Sequence, residues 1–393
     1  MPARHYGLDW LRIAAFALLI VYHVGLMLSP WDWHVNAEHP VDGIVYLLVA
    51  MNPWRMLLLF LVSGYAARAV LARAPTIADF ARSRAARLLI PLAFGACVIV
   101  VPQPWVEIQQ KLSYAHGLLY FWRHDYFGWG TKDYHAFGFF HLWFVAYIWV
   151  YSMLVAAAAA LLPASAKARC QRLFERAMSG WRLLILPVAW LLLVRLVLMP
   201  GAMPTNRVLD DLAGHAIYLP AFLFGFALAR APSLWPDIAR SWRPALGLVV
   251  VGYALLAWRL AGHPGAAWLL PDHRVELGPA SLMGWGAILL LLGAANRWWN
   301  HDHRWRGPLT QAVFPVYLIH QTLIVLIGWW LVRHHWGAAA EFIILIVGTA
   351  IGCWLFYEGG RRIGPLRPLI GLPRRLDGRE RVVRPQPPIR SLL

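Results

Sequence analysis

Hydrophobic positions fall into long runs separated by short polar connections, at about residues 8–28, 44–72, 88–102, 139–162, 182–199, 212–231, 244–261, 278–296, 308–332 and 340–357. Each run is close to the roughly 20 residues that a helix needs to cross a bilayer. The pattern predicts an all-α, polytopic membrane protein with about ten transmembrane helices. Residues 1–360 form the predicted membrane domain, and 361–393 read as a basic, Pro-rich tail extended along anionic headgroups. The longest connection is 103–138. The first run follows Arg4 in the manner of a signal peptide, but no small-residue cleavage site comes after it, so it reads as a retained anchor.

Composition supports this class: 60% hydrophobic and 14% charged residues, with a mean hydropathy of +0.53, lie far from soluble-domain averages. A formal net charge of +17 raises the question of nucleic acid, and the distribution of charge answers it. Basic residues cluster in alternate connections: Arg73/Arg82/Arg84/Arg87, Lys167/Arg169/Arg172/Arg176/Arg182, Arg230/Arg240/Arg243 and Arg297/Arg304/Arg306, with more from Arg361 to Arg390. The first connection on the other side carries Asp32, Glu38 and Asp42 and no Lys or Arg. This asymmetry predicts cytoplasmic N- and C-termini and membrane lipid, not nucleic acid, as the partner of the basic surface. Cys97, Cys170 and Cys353 are odd in number and suggest no disulfide framework.

Within the apolar runs, ionisable residues need a reason to be there. At 100° per residue, Asp9, Arg12 and His23 share one face of the first helix, with Arg12 and His23 roughly 16 Å apart along the axis. An imidazole at such a place is a candidate general base for a hydroxyl attacking an acyl carbonyl; its plainer role is as a hydrogen-bonded packing residue. Asp9 reads as the ion-pair partner of Arg12. Arg84 and Arg87, one helical turn apart, can converge on a phosphate or simply anchor the chain to headgroups. Arg55 needs a carboxylate, carbonyl or substrate partner, and in Ser63-Gly64-Tyr65 the glycine reads as a packing position. His141 and Trp143 open the fourth run, and His320 lies inside the ninth. Trp33, His34 and Asn36, together with the aromatic residues of 103–138, form either an interfacial belt or a sugar-stacking surface. Glu358 reads as an interfacial partner of Arg361 and Arg362. His301-Asp302-His303 and His334-His335 lack further ligands, so no metal site is expected. Phosphate-binding Gly-rich loops, CxxC pairs and a GxSxG elbow are absent.

Leu8-Asp9-Trp10-Leu11-Arg12 through His23, Phe60-Leu61-Val62-Ser63-Gly64-Tyr65, Arg84-x-x-Arg87 with Pro91, His141-Leu142-Trp143-Phe144 and Tyr317-x-x-His320 together resemble the acyltransferase 3 family of integral-membrane acyltransferases. The resemblance runs over nearly the whole chain. It implies a bacterial inner-membrane enzyme that passes an acyl group from cytoplasmic acyl-CoA to a carbohydrate hydroxyl outside, with no tightly bound cofactor. His23, Asp9 and Arg12 are then the catalytic candidates, and Arg84, Arg87, Arg55, Ser63 and Tyr65 the donor-side candidates. Trp33, His34, Asn36, His141, Trp143 and His320 are the acceptor-side candidates. Trp33-His34-Val35-Asn36, Trp54-Arg55-Met56 and Arg87-Leu88-Leu89-Ile90-Pro91 are similar to a branch of the family that succinylates periplasmic glucans, with succinyl-CoA as donor and Arg55 on its free carboxylate. Gly-Gly-Arg-Arg after Glu358 departs from the Pro-containing ending of many acetyltransferase members, so Glu358 receives no catalytic role. An O-acetyltransferase of another surface polysaccharide is the alternative within the class. A transporter or lipid-binding scaffold is the alternative outside it, disfavoured because no internal repeat or inverted pair of broken helices is visible.

Overall fold

The computed structural model describes residues 5–128, 130–131, 134–262 and 274–374. All ten predicted runs are helical: α1 (Tyr6–Leu28), α2 (Ile44–Leu71), α3 (Ile77–Phe94), α5 (Trp143–Leu161), α7 (Arg182–Leu198), α8 (Leu212–Leu228), α9 (Trp242–Gly262), α10 (Arg274–Trp298), α11 (Arg306–Val332) and α12 (Ala338–Arg362). Shorter helices lie between them, among them α4 (Pro102–Leu112) and α6 (Ala164–Ala177). Among the described residues, eight segments are long and apolar enough to cross a membrane unaided. The 17-residue α8 and α7, whose α-helix continues as a π-helix over Leu193–Leu198, sit at the short limit of a span.

Three expectations change. The third run does not end at 102: helix continues from Ile77 to Leu112 through a π-turn at Gly95–Ile99. Pro102 takes the start of α4, where its missing N–H costs nothing, so the proline continues the segment instead of stopping it. The connection 163–181 contains α6, an amphipathic basic helix whose axis turns 99° from α7, as expected of a helix lying along an interface. Finally, 361–374 is not extended. α12 reaches Arg362, a short helix covers Leu366–Leu369, and Ile370 and Leu372 are buried in the main core. Residues 375–393 of the proposed tail lie outside the described residues. Glu358 makes its expected ion pairs, 2.9 Å to Arg361 Nε and 3.2 Å to Arg362 Nη2.

Aromatic rings dominate the centre of the bundle. Phe60 of α2 packs within 6.2 Å, centroid to centroid, of Phe144 and Tyr147 on α5 and of Tyr218 on α8. α2 and α8 touch backbone to backbone because glycines face each other. A Cβ on Gly64 would stand 1.9 Å from Phe222 O, and one on Gly225 would stand 1.8 Å from Leu61 O. Gly64 is therefore a packing residue, as its small neighbourhood suggests. Gly64→Ala is expected to force the helices apart and cost about 2–3 kcal/mol, read as a lowered melting temperature in detergent.

Candidate active site

The polar residues of the membrane segments gather at two depths. At the N-terminal end of α1, Arg12 lies within Coulomb range of Arg87, and Arg84 within range of both. Arg84 Nε donates to Ser152 Oγ of α5 at 3.2 Å, which holds the half-buried guanidinium in place, while Arg87 is exposed. Asp9 does face Arg12 electrostatically, but its Oδ2 forms an ion pair with Arg306 Nη1 of α11 at 2.9 Å. Asp302 holds the same arginine at 2.6 Å. The structure thus replaces the expected Asp9–Arg12 pair with one across helices, and among the described residues Arg12 makes no hydrogen bond or ion pair. Tyr65 lies within electrostatic range of Asp9. Ser63, two residues before Tyr65 on α2, is half-buried and makes no side-chain hydrogen bond among the described residues. Three guanidiniums thus lie together while Asp9, within range of Arg12, is ion-paired with Arg306.

At the other end of α1 a cavity of about 1060 Å³ is lined by His23, His34, Arg55, His141, Trp143 and Tyr317, among others. Segment 203–210 borders it, and Asp211 fixes the end of that segment. Tyr147 Oη donates to Asp211 Oδ2 at 2.5 Å, while Asp211 Oδ1 accepts from Gly214 N at 2.8 Å and so caps α8.

His23 is the pivot of this cavity. Its Nδ1 lies 2.9 Å from Leu19 O and 3.3 Å from His320 Nε2. His320 Nδ1 lies 2.7 Å from Tyr317 O, so carbonyl acceptors place a proton on Nδ1 of both rings, assigned from the network. His320 Nε2 then accepts from His23 Nδ1–H, leaving His23 Nε2 with a lone pair and no hydrogen bond among the described residues. Trp33 stacks on the same ring at 6.0 Å. His320, expected from sequence on the acceptor side, is buried against His23 and is not among the residues that line the cavity.

His141 belongs to a buried polar chain. Its Nε2 donates to Leu318 O at 3.3 Å and its Nδ1 accepts from Gln103 Nε2 at 3.4 Å; Tyr317 Oη donates to His141 O. Gln103 also donates to Thr322 Oγ1 at 2.7 Å and accepts from Gln321 Nε2 at 3.1 Å. Gln321 donates to His34 Nε2 at 3.1 Å, and His34 Nδ1 donates to Glu107 Oε2 at 2.7 Å. Lys111 closes the chain on Glu107 and Asp32, at 3.2 and 2.9 Å. Asn36 plays a different part from the one expected. It accepts from Trp33 N at 3.0 Å and donates to Trp31 O at 2.7 Å, so its side chain is used to fold the turn that presents Trp33 and His34.

Arg55 is 7% exposed, and its Nε and Nη1 are buried without a hydrogen-bond partner. The guanidinium lies over the Tyr22 ring, 3.3 Å from its centroid, in the wall of the cavity that holds His23. A buried guanidinium with free donors is costly unless something anionic reaches it. The residues that sequence reasoning missed here are Gln103, Glu107, Gln321 and Thr322. His320-Gln321-Thr322, three polar residues in succession inside an apolar run, was the available signal.

The chain belongs to the acyltransferase 3 family, whose Acyltransferase domain matches residues 5–358. It is a multi-pass membrane acyltransferase. Its relatives include glucans biosynthesis protein C of Shigella boydii serotype 4 (strain Sb227) and of Escherichia coli O9:H4 (strain HS). Each is 23% identical over 381 residues, covering 93% of this chain and 94% of the relative. No solved structure matches the chain.

Proposed function

We propose that the protein transfers a succinyl group from succinyl-CoA, bound at the cytoplasmic face, to hydroxyls of a glucan on the periplasmic side of the inner membrane. The observation that carries this reading is the presence in one cavity of His23, whose Nε2 has no hydrogen bond among the described residues, and the buried Arg55, whose Nε and Nη1 have none either. The clustering of Lys and Arg in alternate connections supports an orientation with the Asp9 end toward the cytoplasm. Donor phosphates occupy Arg12, Arg84 and Arg87, with Ser63 and Tyr65 along the path, and the pantetheine arm spans the roughly 16 Å to His23.

The glucan hydroxyl oxygen attacks the thioester carbonyl carbon, and its proton passes to His23 Nε2. As the carbon–sulfur bond breaks, that proton moves to the departing thiolate, so that the products are the ester and free coenzyme A. His320 and Leu19 O hold the imidazole so that Nε2 faces the reactants. Trp33, His34, His141 and Trp143 line the acceptor side. Purified protein should release free thiol from succinyl-CoA only when glucan is added; no release with any acyl donor would sink the transferase reading.

Arg55 decides between succinyl and acetyl donors. Arg55→Leu removes the cation and leaves an apolar wall, so turnover with succinyl-CoA should fall by about 10²-fold, the worth of a charge-assisted pair, while acetyl-CoA turnover changes by only a few-fold. An equal loss with both donors would point instead to O-acetyl transfer with Arg55 in a structural role.

A further inference from the structure

A second cavity, of about 1260 Å³, opens at the Asp9 end between α2, α5, α6, α7 and α8. Its deep walls are apolar, formed by Leu57, Leu191, Ile217 and Phe224, and its lining includes Arg68, Lys167, Arg172 and Arg230 but no Asp or Glu. Arg68 and Arg230 lie within Coulomb range of each other, an arrangement that an anion between them relieves. From Ile217 to Arg230 the slot runs roughly 20 Å at 1.5 Å per residue, comparable with the ~15 Å of hydrocarbon in one leaflet. α6 lies beside the mouth, presenting Lys167 and Arg172 while Phe174 packs against Phe224 at 5.3 Å.

We infer that this cavity binds one anionic phospholipid, with its phosphate among Arg68, Arg230, Lys167 and Arg172 and an acyl chain in the slot. Charge and length choose this occupant together. A zwitterionic lipid would bring its own cation to an all-cationic mouth, and coenzyme A would leave the apolar depth empty. The deep end also abuts the His23 cavity, because Leu57 and Ile217 are chain neighbours of Met56 and Tyr218, which line it. The lipid chain therefore backs the wall that carries Arg55. The inference is independent of the acyl-transfer reading, since it concerns binding alone.

Native mass spectrometry of the purified full chain in detergent, with phosphatidylglycerol or phosphatidylethanolamine at equal concentration, tests it. The phosphatidylglycerol adduct should exceed the phosphatidylethanolamine adduct about tenfold, a difference of ~1.4 kcal/mol. Arg68→Gln/Arg230→Gln should lose that preference, and Ala158→Trp should lose the adduct by filling the slot from an exposed position of α5 with the basic mouth intact. Arg84→Gln/Arg87→Gln, outside the cavity, should keep it. Melting temperatures establish that each variant is folded, and Ala158→Trp carries the test if the double arginine variant is not. Equal binding of the two lipids, an adduct indifferent to both sets of changes, or displacement of the lipid by coenzyme A would each overturn the inference; the last would make the slot part of the donor path.

Discussion

Replacing His23 with alanine is expected to lower turnover of acyl transfer about 10³-fold, within the range for loss of a positioned general base, while donor affinity changes by no more than a few-fold. The expectation rests on separation: His23 lies in the cavity at the far end of α1, whereas the cationic cluster surrounds Arg12. Steady-state thiol release with purified protein and glucan measures turnover, and equilibrium binding of succinyl-CoA measures affinity. The positioning role of His320 predicts a graded series at that site. His320→Gln, which retains an acceptor for His23 Nδ1–H, should keep much more activity than His320→Leu, and the leucine variant should alter the pH profile as well as the rate. Normal turnover of His23→Ala would remove the histidine from the reaction.

Arg84→Gln/Arg87→Gln should raise the KM for succinyl-CoA by about 10²-fold or more, since each charge-assisted contact to phosphate contributes about 1.5–3 kcal/mol. The effect should fade at high salt, because Arg87 is exposed and screened. A truncated succinyl thioester without the nucleotide and its phosphates offers the decisive comparison. It never engages the cluster, so the double variant should use it as well as the parent does. Parallel losses with both donors would show that the arginines support the bundle and not the donor.

The helical frame was legible because apolar runs of spanning length admit few other structures. Its errors arose where local chemistry has two meanings. Pro102 can end a helix or begin one, and packing between α4 and α11 decides for the second. The basic run 167–176 reads as a charged connection until Phe174 is seen to give it an apolar side. The site divides in the same way. His23, Arg55, His141 and His320 stand out because ionisable groups are rare in membrane helices, but Gln103 and Gln321, which hold the imidazole chain together, carry no charge and raise no such alarm. Asp9 and Arg12 sit at a spacing that suggests a local pair, yet α11 brings Arg306 to Asp9 with better geometry. Asn36 reads from sequence as an acceptor-side candidate, and only the fold shows its amide bonded to the backbone of its own loop.

The position of Arg55 beside His23, distant from the cationic cluster, has an electrical consequence under the proposed chemistry. Acetyl transfer turns a neutral thioester and hydroxyl into a neutral thiol and ester, so acetyl group and hydrogen change sides with no net movement of charge. A succinyl group carries its free carboxylate toward Arg55 and outward through part of the membrane field. An inside-negative potential favours that movement, by up to ~2.3 kcal/mol for a full charge crossing 100 mV. In sealed proteoliposomes the succinyl reaction should therefore accelerate when the donor side is made negative, and the acetyl reaction should not respond.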